Sequence, residues 1–395
     1  MQDAQNFSIE NLVLDESTRR ENFPVCRKKI FLAHAGVTAL PRVVADAVIA
    51  HTRASCENHQ EFGDVLRDIT ETRHVAARFI GAQWDEIALL GPTSLGLSLF
   101  ANGLPWREGD EILCYANDYP ANVYPWMDLA RRFGVVIRYL QPERVGEITP
   151  ELVANALTPR TRLAALASCN FLTGFQIDVD AIGKILHERG VLFSLDAIQT
   201  LGAAPLSVEH VDFLAADAHK WMLGPLAIGI VFVKKEHFEL LRPTLLGAWN
   251  VRSPNFITQN EIAFFDTAQR YEPGVLNVAG IYGMRAAIEM LLGVGLGKIR
   301  ARILELKSHF ARALEEMDFE IIAPRDGANA SGITTFRHPR RDMAELFRAL
   351  EKNDVIASLR FDRDGAQFIR IAPHFYNTLD ELSRVADILR KSSAQ

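Results

Sequence analysis

Val191-Leu192-Phe193-Ser194-Leu195-Asp196-Ala197-Ile198-Gln199, followed sixteen residues later by Ala215-Ala216-Asp217-Ala218-His219-Lys220-Trp221-Met222-Leu223-Gly224-Pro225, decides the reading of this chain. The first stretch is an apolar run of strand length that ends in an acid. The second sets a lysine in an apolar, glycine-punctuated run between two hydrophobic segments. An isolated ammonium in a low-dielectric interior is costly, so Lys220 must either reach solvent or react with a carbonyl as a Schiff base. Asp196 favours the second outcome, because a carboxylate beside a pyridine nitrogen keeps that ring protonated and electron-withdrawing.

Outward from this pair, short β-rich runs alternate with helical patterns. Strands are predicted at 86–90, 111–116, 135–140, 163–168, 191–196, 213–216 and 228–233, with amphipathic helical stretches such as 120–133 and 179–189 between them. That alternation predicts an α/β large domain over 29–280, built on a mostly parallel sheet with helices on both faces. From about 275 a helical pattern runs to 317 and breaks around 293–297. Strands at 319–323, 333–336, 355–361 and 368–371 and helices at 342–352 and 379–391 follow, which predicts a smaller α+β domain over 281–395. Residues 1–28 are expected to form an N-terminal arm that packs on the rest of the chain or on a partner subunit.

The 395 residues exceed the size at which one core stops growing, in keeping with two domains. Lys plus Arg is 43 against 49 for Asp plus Glu, a net charge of −6, and no basic stripe interleaved with aromatics marks a nucleic-acid surface. Cys26, Cys56, Cys114 and Cys169 are scattered without metal spacing, so no metal is expected. The polar, acidic N-terminus is unlike a signal peptide and the apolar runs are too short to span a bilayer, so no membrane partner and a cytoplasmic location are expected. No Gly-x-Gly-x-x-Gly follows a strand, which argues against a nicotinamide-binding reading.

On the motifs Asp196-x-x-Gln199 and His219-Lys220-Trp221 the chain resembles the class V aminotransferase family of fold-type I pyridoxal phosphate (PLP) enzymes, which includes cysteine desulfurases, selenocysteine lyases, kynureninase and isopenicillin-N-epimerase-like proteins. The resemblance runs from Phe31-Leu32-Ala33-His34-Ala35-Gly36 to Ile369-Arg370-Ile371-Ala372-Pro373-His374. It implies pyridoxal 5'-phosphate as cofactor, Lys220 as its covalent partner, Asp196 on the pyridine nitrogen and Gln199 on the phenolic oxygen. Gly91-Pro92-Thr93-Ser94 resembles the phosphate cup, with His219 as a further phosphate contact; Thr93 read alone is an ordinary helix N-cap. Tyr119 is placed where relatives stack a ring on the cofactor face, with a half-buried loop tyrosine as the alternative. Asn170 matches a strand-end asparagine near the ring oxygen and substrate, and Arg370 matches the arginine that forks the substrate carboxylate. His34 and Ala35 resemble the loop lining the substrate pocket. Arg270-Tyr271-Glu272-Pro273-Gly274-Val275 resembles a segment that reaches the neighbouring subunit's phosphate, which implies a homodimer with a shared active site.

Several positions depart from the family pattern. Val275 replaces a threonine, Leu95 a glutamate, and Asp217 falls where some relatives carry a phosphate-binding serine. Between Arg360 and Arg370, where desulfurases carry a nucleophilic cysteine, this chain has none, which disfavours chemistry through an enzyme-bound persulfide. The expected reaction is PLP chemistry at the α-carbon of a small amino acid, with transamination narrowly ahead of a C–S or Se β-lyase or an epimerase, and a PLP-binding scaffold without turnover last.

Overall fold

The computed structural model describes residues 8–60 and 63–392; residues 1–7 of the expected arm lie outside the described residues. Seven strands form the main sheet: β1 (Ile87–Leu89), β2 (Glu111–Cys114), β3 (Val136–Tyr139), β4 (Thr161–Ala167), β5 (Leu192–Asp196), β6 (Phe213–Asp217) and β7 (Gly229–Val233). Their order across the sheet is β1-β7-β6-β5-β4-β2-β3. All neighbours run parallel except β7, which is antiparallel to both β6 and β1. This is the mixed α/β layer expected of fold type I.

Strand alternation explains why the central runs are almost wholly apolar. Leu163 and Ala165 of β4 join one hydrophobic cluster with Phe213, Ala215 and Val231, while Ala164 and Leu166 join another with Phe193, Leu195 and Leu214. Both faces of the sheet are therefore buried, and a parallel sheet covered on both sides has no solvent face on which to place polar residues. The parallel strands β4, β5 and β6 end together, with Ala167 beside Asp196 and Asp196 beside Ala215. The loops that leave these ends carry Asn170, Gln199 and Lys220 to one edge of the sheet, the usual place for a ligand in such folds. The helix Thr93–Gly103 lies close on the sheet because Gly96 has no side chain: a Cβ there would sit 2.7 Å from Ala215 Cβ.

The long helical pattern resolves into Val278–Val294 and Leu296–Glu315, bent by 80° at Gly295, whose φ of +92° a glycine adopts readily. A second sheet, Glu320–Ile321, Thr334–Arg337, Ser358–Phe361 and Gln367–Ile371, is antiparallel throughout and is packed by Leu296–Glu315, Met343–Lys352 and Leu379–Lys391 around a third cluster that includes Phe310, Phe336, Leu346 and Ile369. The single strand predicted at 355–361 is two. Val355–Ile356 pairs in parallel with Ile30–Phe31, whereas Ser358–Phe361 pairs with Gln367–Ile371, and the change of partner interrupts the run at Ala357. The described part of the arm folds as Ile9–Leu14 and Glu16–Asn22 and packs on this chain's own C-terminal layer: Arg19 Nη1 donates to Glu381 at 2.9 Å, and Phe23 stacks on Tyr376 with ring centroids 4.0 Å apart.

Candidate active site

Lys220 sits in a tight turn fastened at both ends. The Ala218 N–H donates to the Ile228 carbonyl, Gly224 N–H returns to Ala218, and Leu223 N–H closes on the Lys220 carbonyl. Leu223 is held at φ +58°, a left-handed conformation that costs a side-chain-bearing residue roughly 1–2 kcal/mol. The neighbouring Trp221 is fully buried; its indole N–H donates to Gln199 Oε1 at 2.9 Å, and its carbonyl accepts from His374 Nε2 at the same distance. Gln199 in turn donates to the Ala35 carbonyl at 3.1 Å, which leaves one amide N–H of Gln199 for a ligand. Ala35 thus contributes by its backbone, holding Gln199 in place.

The Lys220 ammonium has no ion-pair partner within 4 Å among the described residues, and it lies 5.4 Å from the centre of the Tyr119 ring. Burial pulls its pKa down to about 8; Asp196 opposes this, and Arg370 and Arg360 add to it. Asp196, at the end of β5, is 3% exposed and accepts from the Ile198 N–H at 3.1 Å. Burial raises its pKa, against that hydrogen bond and the Lys220 charge. An acid and an amine are therefore both buried and each feels the other's charge, without forming an ion pair within 4 Å. A ring lying between the two would give the acid a protonated nitrogen and the amine a carbonyl.

At the other end of the pocket, Thr93 begins the helix Thr93–Gly103, which has no side-chain cap. Thr93 is the first helical residue rather than the N-cap. Its Oγ1 accepts from the Asp217 N–H at 2.8 Å, so its own hydroxyl hydrogen is left to donate elsewhere. With the half-buried Ser94 and the N–H groups at the start of the first turn, of which Leu95 already donates to the Pro92 carbonyl, it makes a receptacle for a phosphate. His219 flanks the receptacle, its Nδ1 3.1 Å from Asp217 Oδ1.

Arg370 lies on the strand Gln367–Ile371 and is 2% exposed. Its Nη1 donates to the Phe171 carbonyl, while its Nη2 is buried without a partner. Burial, and after it the Arg360 cation, act against the charge on Arg370; a guanidinium keeps its proton under that pressure, so the pocket demands an anion. Arg360 went unremarked as a site residue in the sequence. It pairs across from Phe368 while Ser358 pairs with Arg370, which puts the two guanidinium-bearing residues on one face of the hairpin as diagonal neighbours. Its Nε is also buried without a partner. The turn joining these strands is short because Asp362 Oδ1 accepts from the N–H groups of Asp364 and Ala366, and Gly365 takes φ +83°. From that turn Arg363 donates to the Ala116 carbonyl at 2.7 Å, seating the hairpin on the loop that carries Tyr119.

Two expectations need correction. His34 does not line the pocket: it is fully buried, with Nδ1 on the Ala372 carbonyl and Nε2 on the Tyr376 hydroxyl, both at 2.8 Å, so neither nitrogen is left for a substrate. Asn170 is engaged mainly within its own loop, with one amide contact, to Asp118, only at 3.5 Å. Its Oδ1 accepts from the N–H groups of Leu172 and Thr173 and the Thr173 hydroxyl, and its Nδ2 donates to the Asn117 carbonyl and, at 3.5 Å, to Asp118. It is a turn-former. The acid it touches, Asp118, was also missed; burial and then the Asp196 carboxylate push its pKa up to about 7. In the sequence Asp118 is marked only by its place directly before Tyr119. Tyr119 itself is 48% exposed and edge-on to Phe171, with a face over Lys220.

Gly274 and Val275 do not join the Lys220 pocket of their own chain. Glu272 anchors their segment, accepting from the Leu89 N–H at 2.8 Å and pairing with buried Arg73, and Arg270 pairs with Glu239 under the Phe238 and Phe264 rings. Val275 is left 69% exposed at the tip. No cysteine lies on the turn between Arg360 and Arg370. Cys26, Cys114 and Cys169 are buried, and burial pushes their thiols up to about 12, 12 and 11.

The unpartnered Arg370 Nη2, the unpaired Lys220 amine and the uncapped helix at Thr93 fit an anionic amino acid, an aldehyde and a phosphate, the parts that PLP and its substrate present. The aminotransferase class-V description matches residues 30–385. The chain is similar to a protein of Pyrococcus abyssi named a probable cysteine desulfurase, with 25% identity over 392 residues, 94% of this chain and 96% of that one. In fold it is similar to the apo cysteine desulfurase of Thermococcus onnurineus NA1 (TM-score 0.88, 23% identity, 95% and 97% of the two chains). It is also similar to the cystine C-S lyase C-DES in complex with its product cysteine persulfide (TM-score 0.84, 22% identity, 93% and 98%). With the match spanning nearly its whole length and the lysine, acid and phosphate receptacle assembled at one sheet edge, the chain belongs to the aminotransferase class-V family of pyridoxal phosphate-dependent enzymes.

Proposed function

We propose that this enzyme is a C–S β-lyase acting on a cysteine-derived amino acid whose leaving group carries a second anion, as in a disulfide of two cysteines. One observation carries the reading: the hairpin turn where a persulfide-forming enzyme needs a thiol has none, and beside Arg370 it presents a second guanidinium, Arg360. Transamination, placed first from the sequence, is put second to its alternative here, because the similar proteins include several named probable cysteine desulfurases and a cystine C-S lyase, beside one named an uncharacterized aminotransferase.

Bound PLP supplies the electron sink for the pair released from the α-carbon. Arg370 holds the α-carboxylate through Nη2, the donor left without a partner, while Nη1 stays on the Phe171 carbonyl. Lys220 Nζ, buried and poised at about 8, takes the α-proton. Arg360 receives the carboxylate on the far side of the scissile bond. The Cβ–S bond breaks with its electron pair leaving on sulfur, so that cystine and water give pyruvate, ammonia and cysteine persulfide.

Purified enzyme given L-cystine without a keto acid is expected to release pyruvate and ammonia in equal amounts. Arg360→Ala raises KM for cystine by roughly tenfold or more, the loss of one charge-assisted bond, and changes KM little for S-methylcysteine, which lacks the second carboxylate. Formation of pyridoxamine phosphate from alanine or aspartate with no pyruvate from cystine would overturn the reading.

A homodimer is part of the same proposal. Leu226, Leu245, Leu246 and Val275 are each about half or more exposed, and Leu95, Leu99, Leu245 and Val275 line an apolar cavity beside the phosphate receptacle. Apolar surface of this kind is commonly covered by a partner. Val275→Glu should halve the mass seen by light scattering and weaken cofactor retention; an unchanged dimer that keeps its cofactor places the interface elsewhere.

A further inference from the structure

Asp217, the last residue of β6, is buried to 1% side-chain exposure, yet neither of its carboxylate oxygens receives a hydrogen bond. His219 Nδ1 lies 3.1 Å from Oδ1, within ion-pair range but off the line of a hydrogen bond, and it has no other partner. Strand alternation aims the acid: Ala215, two residues earlier, meets Gly96, so Asp217 points to the same face, toward the start of the helix Thr93–Gly103. Among the described residues, the charged or titratable groups that interact with it are His219 and Lys220 from its own loop; the helix start brings the Thr93 hydroxyl, and β7 brings the backbone of Gly229, opposite Asp217 in register.

A buried carboxylate that accepts nothing is strongly unfavourable, and placing a phosphate dianion beside it makes it more so. By the resemblance, Asp217 stands where some relatives carry a phosphate-binding serine, so an acid takes the place of a neutral donor beside the start of the helix Thr93–Gly103. The arrangement is balanced when one more proton resides on the acid and imidazole together. The imidazolium then gives one N–H to Asp217 and one to the phosphate, or the carboxyl itself donates, and the proton belongs to the pair.

We propose that the Asp217–His219 pair takes up a proton when the cofactor phosphate binds, making Asp217 a positioning residue for the phosphate and cofactor capture proton-coupled. The pair acts only on the phosphate end, whereas Lys220 acts on the aldehyde end with the opposite sign, since its amine must be neutral to react. Comparing PLP with pyridoxal, which lacks the phosphate, removes the lysine's contribution.

The test is an equilibrium titration of the full-length chain, freed of cofactor, with PLP and with pyridoxal between pH 6.5 and 9, following the absorbance of bound cofactor. The phosphate's own ionisation, near pH 6, is largely complete over this range. The preference for PLP over pyridoxal is expected to fall about tenfold or more as pH rises, by proton linkage. Asp217→Ser, which restores a neutral donor, flattens that dependence and strengthens PLP binding at pH 8.5. Asp217→Asn, close in shape to the native residue, flattens it too and serves if the serine variant folds poorly. A wild-type preference that does not fall with pH, or variants that keep the wild-type slope, would overturn the proposal. Because the readout is binding without turnover, it stands or falls apart from the identity of the substrate.

Discussion

Lys220→Ala is expected to abolish covalent cofactor attachment and to lower turnover by about 10²–10⁴-fold or more, the range for loss of a positioned acid–base group. Lys220 is buried with no ion-pair partner among the described residues, and its pKa is drawn down to about 8, first by burial. At pH 7.5 such an amine is neutral in about one molecule in four, against about one in a thousand for a lysine at its ordinary value. Attachment of cofactor to the cofactor-free chain should accordingly speed up with pH and level off above about 8, as the amine loses its proton. The absorption band of lysine-bound cofactor reports the attachment, and added methylamine should restore part of the turnover. A variant that keeps both the band and the activity would remove Lys220 from the chemistry.

Arg370→Ala should rank second, lowering kcat/KM by roughly 10- to 150-fold, equivalent to about 1.5–3 kcal/mol for a lost charge-assisted bond. The effect should appear mainly in KM, because the arginine holds the carboxylate in ground and transition states alike. Arg370→Lys should recover little: Nη1 is tied to the Phe171 carbonyl and only the fork geometry leaves Nη2 aimed at an incoming carboxylate, whereas an ammonium cannot make both contacts from one point. Unchanged steady-state constants in Arg370→Ala would assign the carboxylate to Arg360 alone. The double variant with Arg360→Ala tests whether the two residues act on one substrate, since diagonal neighbours that bind the same molecule should show non-additive losses.

The seven strands of the main sheet and the helix break at Gly295 were legible in sequence because each rests on a local rule: apolar runs of strand length for a sheet buried on both faces, and a glycine where the backbone turns left-handed. The buried setting of Lys220 was legible for a similar reason, since its apolar neighbours surround it along the chain. His34, Asn170 and Arg360 were misread or passed over on different grounds. His34 and Asn170 are polar residues at loop positions that suit a ligand, yet their hydrogen-bond capacity is consumed by Ala372, Tyr376, Leu172 and Thr173. Arg360 looks like an ordinary strand arginine until pairing with Gln367–Ile371 turns it to the face of Arg370.

Short-range patterning carried the α/β class and the buried setting of Lys220, and the family resemblance carried the pairing with Asp196 and the missing thiol. Which polar groups remain unsatisfied, and so are able to meet a ligand, was decided only by tertiary structure. A hydrogen-bonding group serves function when folding leaves it without a partner, and its partners come from segments far away along the chain, as the Arg370 and Asp217 side chains illustrate.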